Sequence, residues 1–183
     1  MIAIILAIAG TGDDAVRIVI RATARTSAVL FTAAFAASSL RRAWPLPATR
    51  WLLANRRYLG VPFAVSHLAH FLAILALAHW SFARMAAAAA PAAGILGGIA
   101  YLFVLAMAAT SFDRTAAWLG GRRWRQLHTV GAYWIWSVFF VTFAPHAFQS
   151  VLYWPFALGL LAALALRWRY RTLAEPVAVT VPG

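Results

Sequence analysis

The chain contains no cysteine and no lysine, and only four acidic residues among 183. Without cysteine there is no disulfide, no iron–sulfur cluster and no thiol chemistry. Without lysine, the net charge of +12 comes from arginine alone. Charged residues make up 11% of the chain, against about a quarter in soluble domains. No glycine-rich dinucleotide fingerprint is present, and a chain of this length leaves no room for a separate flavin or nicotinamide domain.

What fills the sequence is apolar: 64% of residues, with a mean hydropathy of +0.78. That balance is expected of an integral membrane unit with a single domain over residues 1–183. A strongly basic chain can signal nucleic acid. Here the arginines cluster between apolar runs, so lipid headgroups and topology explain them better, and no nucleic-acid partner is expected.

The run Ile2 to Ala9 is about 12 Å long as a helix, too short to span, and no basic residues precede it as in a signal peptide. It is expected to lie at the interface. From Ala15 a helix is predicted to about Ala43, before Pro45 and Pro47, with its membrane part at 26–42. Arg17, Arg21 and Arg25 recur every fourth residue and form one stripe. They precede the span, which suits an interfacial stripe rather than a voltage sensor. Further spans are predicted at 61–83, opened by Val61-Pro62, then at 92–110, at 125–145, ended by Pro145, and at 150–167. Met85 to Ala93 reads as a low-complexity linker, Gly94, Gly97 and Gly98 as sites of close helix contact, and the tail from Thr172 as irregular. The predicted fold is thus an all-α integral membrane protein. It is a bundle of about five transmembrane helices plus a short N-terminal interfacial helix.

Twelve arginines fall on one side of this topology, in the 41–57 and 113–125 loops and the tail, against four on the other. The positive-inside rule then predicts a multi-pass protein of the inner (cytoplasmic) membrane with its N-terminus outside and its C-terminus in the cytoplasm. The second and fourth spans run parallel, and they carry most of the histidines.

An ionisable group within a span is costly and therefore a functional candidate. Haem iron in a helical bundle takes two imidazoles from facing helices, with propionates reaching cations at the interface. His70 and His128 are the candidate iron ligands, provided the fourth helix starts early enough to bring them to one depth. Arg56-Arg57 and Arg122–Arg125, in particular Arg57 and Arg125, are candidates to neutralise the propionates. A second haem would need ligands about four turns further on, where Arg84 and Val141 stand. The remaining pair, His79 and His146, is displaced from the first by amounts that disagree by about 13 Å, so one haem b is expected. His67 lies one turn from His70, but a zinc or copper site there lacks carboxylates or thiolates. The aromatics of the fourth span (Tyr133, Trp134, Trp136, Phe139, Phe140, Phe143) could flank a macrocycle, or simply pack.

Asn55-Arg56-Arg57-Tyr58-Leu59-Gly60-Val61, with His70 ten residues past the glycine, resembles the Arg-Arg-x-Leu-Gly-Leu…Leu-His pattern of the ferric reductase-like transmembrane domain family. Ala109-Thr110-Ser111-Phe112, Leu119-Gly120, Arg123-Trp124 and Gln126-Leu127-His128 are similar to its second pattern. Within the family the likeness is greatest to the haem-binding membrane subunits of bacterial periplasmic methionine-sulfoxide reductase systems. Ser39-Leu40-Arg41-Arg42 fits it too, and the likeness covers about Arg25 to Arg171. It implies a b-type haem electron carrier, with His70 and His128 as ligands, that passes electrons from quinol or a cytoplasmic flavin or reductase to a redox partner on the outer side. A quinone or flavin at the cytoplasmic face is a further implied cofactor. The sequence departs from the pattern at Ala69, where leucine is expected, at Val141, where a further histidine is expected, and in its N-terminal region. The alternative is a non-redox membrane protein: a structural subunit of a larger membrane complex, or a transporter with His67, His70 and His79 along its path.

Overall fold

A computed structural model describes residues 1–88 and 90–172. The predicted irregular tail, with Pro176 and Pro182, lies outside the described residues. Nine α-helices follow one another, with no strand among the described residues: α1 Ile2–Ala9, α2 Asp13–Ala43, α3 Pro47–Ala54, α4 Arg56–Leu77, α5 Phe82–Ala88, α6 Pro91–Ala109, α7 Asp113–Leu119, α8 Gly121–Ala147 and α9 Trp154–Thr172. A 3-10 turn at Val151–Tyr153 leads into α9. The segments 13–43, 56–77, 91–109, 121–147 and 151–170 are long and apolar enough to cross a membrane. The chain is a multi-pass, all-α membrane protein.

Apart from the bonds lost at Pro62 and Pro145, the helices satisfy their own backbones, the condition hydrocarbon imposes. Side chains on the outside of the spans are apolar, Val29, Val65, Ile95, Leu102, Leu105 and Leu158 among them, which suits contact with lipid tails. The long α2 starts with Asp13-Asp14 and ends with Arg41-Arg42, charges that complement its dipole at both ends. It is the hub of the bundle, packed along α4 and α9. The core between α2, α4, α6, α8 and α9 is a stack of phenylalanines, Phe31, Phe35, Phe63, Phe139 and Phe143, filled in by Ile135, Leu160 and small alanines.

Alternation of the spans puts α3, α7 and the arginines at 41–57, 114–125 and 167–171 at one end of the bundle, called here the arginine-rich end. The opposite end holds α1, α5, the 3-10 turn and Arg17, Arg21, Arg25 and Arg84.

Several expected boundaries shift. The second span begins at Arg56, not Val61, and Pro62 sits inside it. The carbonyl that Pro62 leaves without its helical partner belongs to Tyr58, which is exposed at the arginine-rich end, where water or headgroups can serve it. That span also stops at Leu77 rather than 83, because His79 and Trp80 adopt positive φ of 51° and 59° and turn the chain. Of the stretch from Met85 to Ala93 read as linker, 85–88 belong to α5, which starts at Phe82. The loops after α2 and α6 likewise contain short helices, α3 and α7. Pro145 does not end α8, which continues to Ala147; so near the terminus the missing donor costs only a last-turn hydrogen bond. Gly97 and Gly98 face open space, and close approach is instead made by Gly131 of α8. A Cβ there would stand 2.6 Å from Met107 Sδ and 2.9 Å from Phe103 Cδ1 of α6.

Candidate functional site

At the arginine-rich end, α2, α3, α4, α6, α7 and α8 enclose a cavity of about 360 Å³, within the size range of small-molecule sites. Its walls are apolar, with Phe31, Phe35, Phe63, Val104 and Met107 reaching the core. Its polar groups are few: Arg56 and Arg57 at the start of α4, Ser111 after α6, and Trp124 and His128 in the first turns of α8. Gly60 completes the α4 wall. Both sequence patterns quoted above therefore contribute to one space, because α4 and α8 each begin at this end and run in the same direction.

His128 is held from two sides. Its ring stacks on Trp124 at 4.1 Å between centroids and 24° between planes, one helical turn apart. Its Nε2 lies 3.1 Å from Thr110 Oγ1, and that hydroxyl donates to the Ala106 carbonyl at 2.7 Å. With its proton committed there, the threonine oxygen accepts from an Nε2–H, and the lone pair of His128 is left on Nδ1. Trp124 Nε1–H donates to the Thr110 carbonyl at 2.9 Å, which ties the start of α8 to the end of α6.

The two arginines differ. Arg57 pairs with Asp113, the first residue of α7, and fastens that helix, whose Ala116 also lines the cavity, across the mouth. The Arg57 guanidinium, through its hydrogen bond and its charge, holds the Asp113 carboxyl below the ordinary carboxylate value of 3.8. Arg56 is more enclosed and has no hydrogen-bond partner among the described residues. Arg125, expected beside it, is exposed and folds back along its own helix, with Nη1 3.6 Å from a Cβ placed on Gly121. It does not line the cavity.

His70 is elsewhere. Phe139 of α8 packs against both Phe63 and His67 of α4, at 6.2 and 5.6 Å between centroids. These contacts set the relative height of the two parallel helices. His128 lies eleven residues before Phe139 and His70 three beyond His67, so the two histidines stand roughly 20 Å apart along the axes. His70 Nδ1 meets the Ile20 carbonyl at 3.0 Å and Thr23 Oγ1 at 3.2 Å on α2. One iron between His70 and His128 does not fit this arrangement: the helix start that would have equalised their depth is offset by the aromatic register.

Around His70 the α2–α4 seam is polar. Ser27 Oγ donates to Ser66 Oγ at 3.0 Å, and Ser27 and Thr23 are fully buried. His67 stacks on Tyr101 of α6 at 4.7 Å, and its buried Nδ1 has no partner. The sequence pointed to His67 only as half of a metal pair. Among the described residues no group of three or more His, Cys, Asp or Glu side chains gathers for a metal ion. His79 is exposed in the turn after α4, and His146 is bound to the Thr142 carbonyl at 2.7 Å. Of the fourth-span aromatics, Trp134 and Trp136 tie α8 to the carbonyls of Leu96 and Leu160, and Phe139 and Phe143 are core. None of the six lines the cavity.

Arg167 of α9 was not expected near the site. It donates to the Phe35 carbonyl at 3.0 Å and lies over the rings of Phe35 and Tyr133 at 4.4 and 5.2 Å, behind the cavity wall. Only its final position, set by α2–α9 packing, distinguishes it from the other tail arginines.

No protein-family model, no curated protein and no solved structure matches the chain.

Proposed function

We propose that this chain is a transmembrane electron-transfer protein of the cytoplasmic membrane. Its redox group is a single b-type haem seated in the cavity at the arginine-rich end. The observation that carries the proposal is the meeting, in one apolar-walled space, of His128 with the adjacent pair Arg56-Arg57. A haem is a flat apolar disc with two carboxylates on one edge, and this donor set matches it part by part: phenylalanines for the disc, guanidiniums for the carboxylates, an imidazole for the iron. When bound, the group supplies a one-electron couple. His128 would hold the iron; Trp124 and Thr110 fix its ring and tautomer, as outer partners of ligating histidines commonly do. His70 is not part of this site, so His128 would be its one imidazole donor. Arg57 also holds α7 over the mouth, limiting water access, and the phenylalanine layer at Phe31 and Phe63 closes the inner side. The arginine-rich end is cytoplasmic by the charge rule, so electrons enter there from quinol or a cytoplasmic flavin or reductase. They leave toward an acceptor on the outer side.

A second reading is favoured by the missing second imidazole: the cavity takes a quinone headgroup, its carbonyl oxygens facing His128 and Arg56, and no haem is held. A reduced-minus-oxidised spectrum of purified protein, with haem counted per chain, separates the two. A Soret band and about one haem per chain, lost in His128→Ala and kept in His70→Ala, support the haem reading. A colourless protein refutes it.

A further inference from the structure

At the end opposite the cavity, Arg25 has no counter-charge among the described residues. Its Nη2 donates to the Tyr153 hydroxyl at 3.2 Å, and its guanidinium carbon lies 5.0 Å from the Tyr153 ring centroid. The rest of the fork is unused, and the buried Nε has no acceptor. Among the described residues it forms no ion pair and no further hydrogen bond. On its own helix the nearest carboxylates, Asp14 and Asp13, are eleven and twelve residues back, roughly 16–18 Å along the axis.

The depth of this group follows from the length of α2. At 31 residues the helix is far longer than the ~20 needed to cross hydrocarbon. Counting about 20 residues back from Arg41, which marks the arginine-rich boundary, reaches Arg21. Arg25 is one turn inside that point and Tyr153 precedes α9, so both lie where headgroups meet hydrocarbon. The surroundings agree. Phe148 and Val151 beside Tyr153 are 85% and 80% exposed. Met1, at the start of the apolar α1, reaches Thr26 Oγ1 with its sulfur at 3.6 Å. Ile4 and Ile8 of α1 are exposed as well. Tyr153 itself packs on Phe143 and His146 at 5.9 and 5.2 Å. A partly buried cation at a level where the 148–151 loop and α1 expose apolar side chains suits an amphiphile, with an oxyanion for the guanidinium and hydrocarbon for those side chains.

We infer that Arg25 and Tyr153 form a binding site for the phosphate of an anionic membrane lipid in the leaflet opposite the arginine-rich end, with Arg21 one turn above adding charge. The guanidinium offers its free N–H groups to a phosphodiester oxygen. The Tyr153 hydroxyl, which accepts from Arg25, has its own proton left to donate to the same phosphate. The acyl chains cover Phe148, Val151 and the exposed face of α1.

The test uses delipidated full-length protein in a neutral detergent. It is titrated with phosphatidylglycerol, with phosphatidylcholine of the same chain length, and with inorganic phosphate, and bound lipid is counted by native mass spectrometry. Phosphatidylglycerol is expected to bind, with about tenfold weaker binding in Arg25→Gln, a smaller loss in Arg25→Lys and Tyr153→Phe, and none in Arg84→Gln. Arg25→Lys keeps the charge and guards against a variant that fails to fold. Equal loss in Arg84→Gln means diffuse charge and overturns the inference, as does unchanged binding in Arg25→Gln. Displacement of the lipid by equimolar inorganic phosphate overturns its assignment to a lipid.

Discussion

Replacing Gly131 with alanine separates close helix packing from ordinary helix propensity. The added Cβ would stand 2.6 Å from Met107 Sδ and 2.9 and 3.3 Å from two carbons of the Phe103 ring. Carbon contacts are most favourable at about 3.5–4.0 Å, so α6 and α8 must part by the better part of an ångström, or both side chains must leave their rotamers. Overpacking of this kind costs about 1–3 kcal/mol. Removing glycine from a helix returns about 0.5–1 kcal/mol. The net expectation for Gly131→Ala is a loss of roughly 0.5–2 kcal/mol, a fall in Tm of about 1–8 °C for a chain of this size. Gly97→Ala, on α6 with nothing within 4 Å, has only the second contribution and should raise Tm slightly. Thermal unfolding of both variants in the same detergent is the assay. Met107 also lines the cavity, so bound chromophore in Gly131→Ala should fall along with stability. Equal behaviour of the two variants would refute the assignment of Gly131 as the α6–α8 contact point.

Three other expectations concern the site. Trp124→Ala removes the stack on His128 and the hydrogen bond to the Thr110 carbonyl, and should cost about 10-fold or more in haem retention measured by pyridine haemochrome; full retention would show that the ring needs no support. Arg56→Gln should weaken retention more than Arg125→Gln, since only the former opens into the cavity, and equal losses would argue for general charge. Asp113→Asn frees α7, with an effect on ligand affinity of at most about fivefold because the pair is exposed. The carboxyl of Asp113 titrates below its ordinary 3.8 in the folded chain. The contact is therefore complete above the ordinary carboxylate range and lost as pH falls through the depressed value. Through this contact affinity should not vary with pH between about 5 and 8, and only at pH values below the ordinary 3.8 should wild type come to resemble Asp113→Asn. A difference between the two that vanishes near pH 7 would contradict the ion-pair role.

How far the site could be read in advance differs residue by residue. His128 and Arg57 were legible because an imidazole and a guanidinium at a span boundary have few bland explanations, and both open into the cavity. Arg125 carried the same signal and points away, since one residue's rotation on a helix turns a side chain by about 100°. His70 has the chemistry of a ligand, but its depth relative to His128 depends on which ring of α4 meets Phe139, a fact with no local signature. Thr110 and Trp124 stood in the sequence pattern, yet their hold on His128 appears only when α6 and α8 are docked. The Gly94–Gly98 cluster drew attention by number. The glycine that matters, Gly131, stands alone.

By itself the sequence determined the membrane class, the five spans and the separation of arginines to one end. Hydrocarbon requires long apolar helices with internally satisfied backbones, and that requirement is written locally in consecutive residues. Tertiary structure alone decided which polar side chains share a space. The axial offset and rotation of each helix follow from packing between distant segments, the phenylalanine stack above all. That packing brought Arg56, Arg57 and His128 to one cavity and left His70 on the α2 seam.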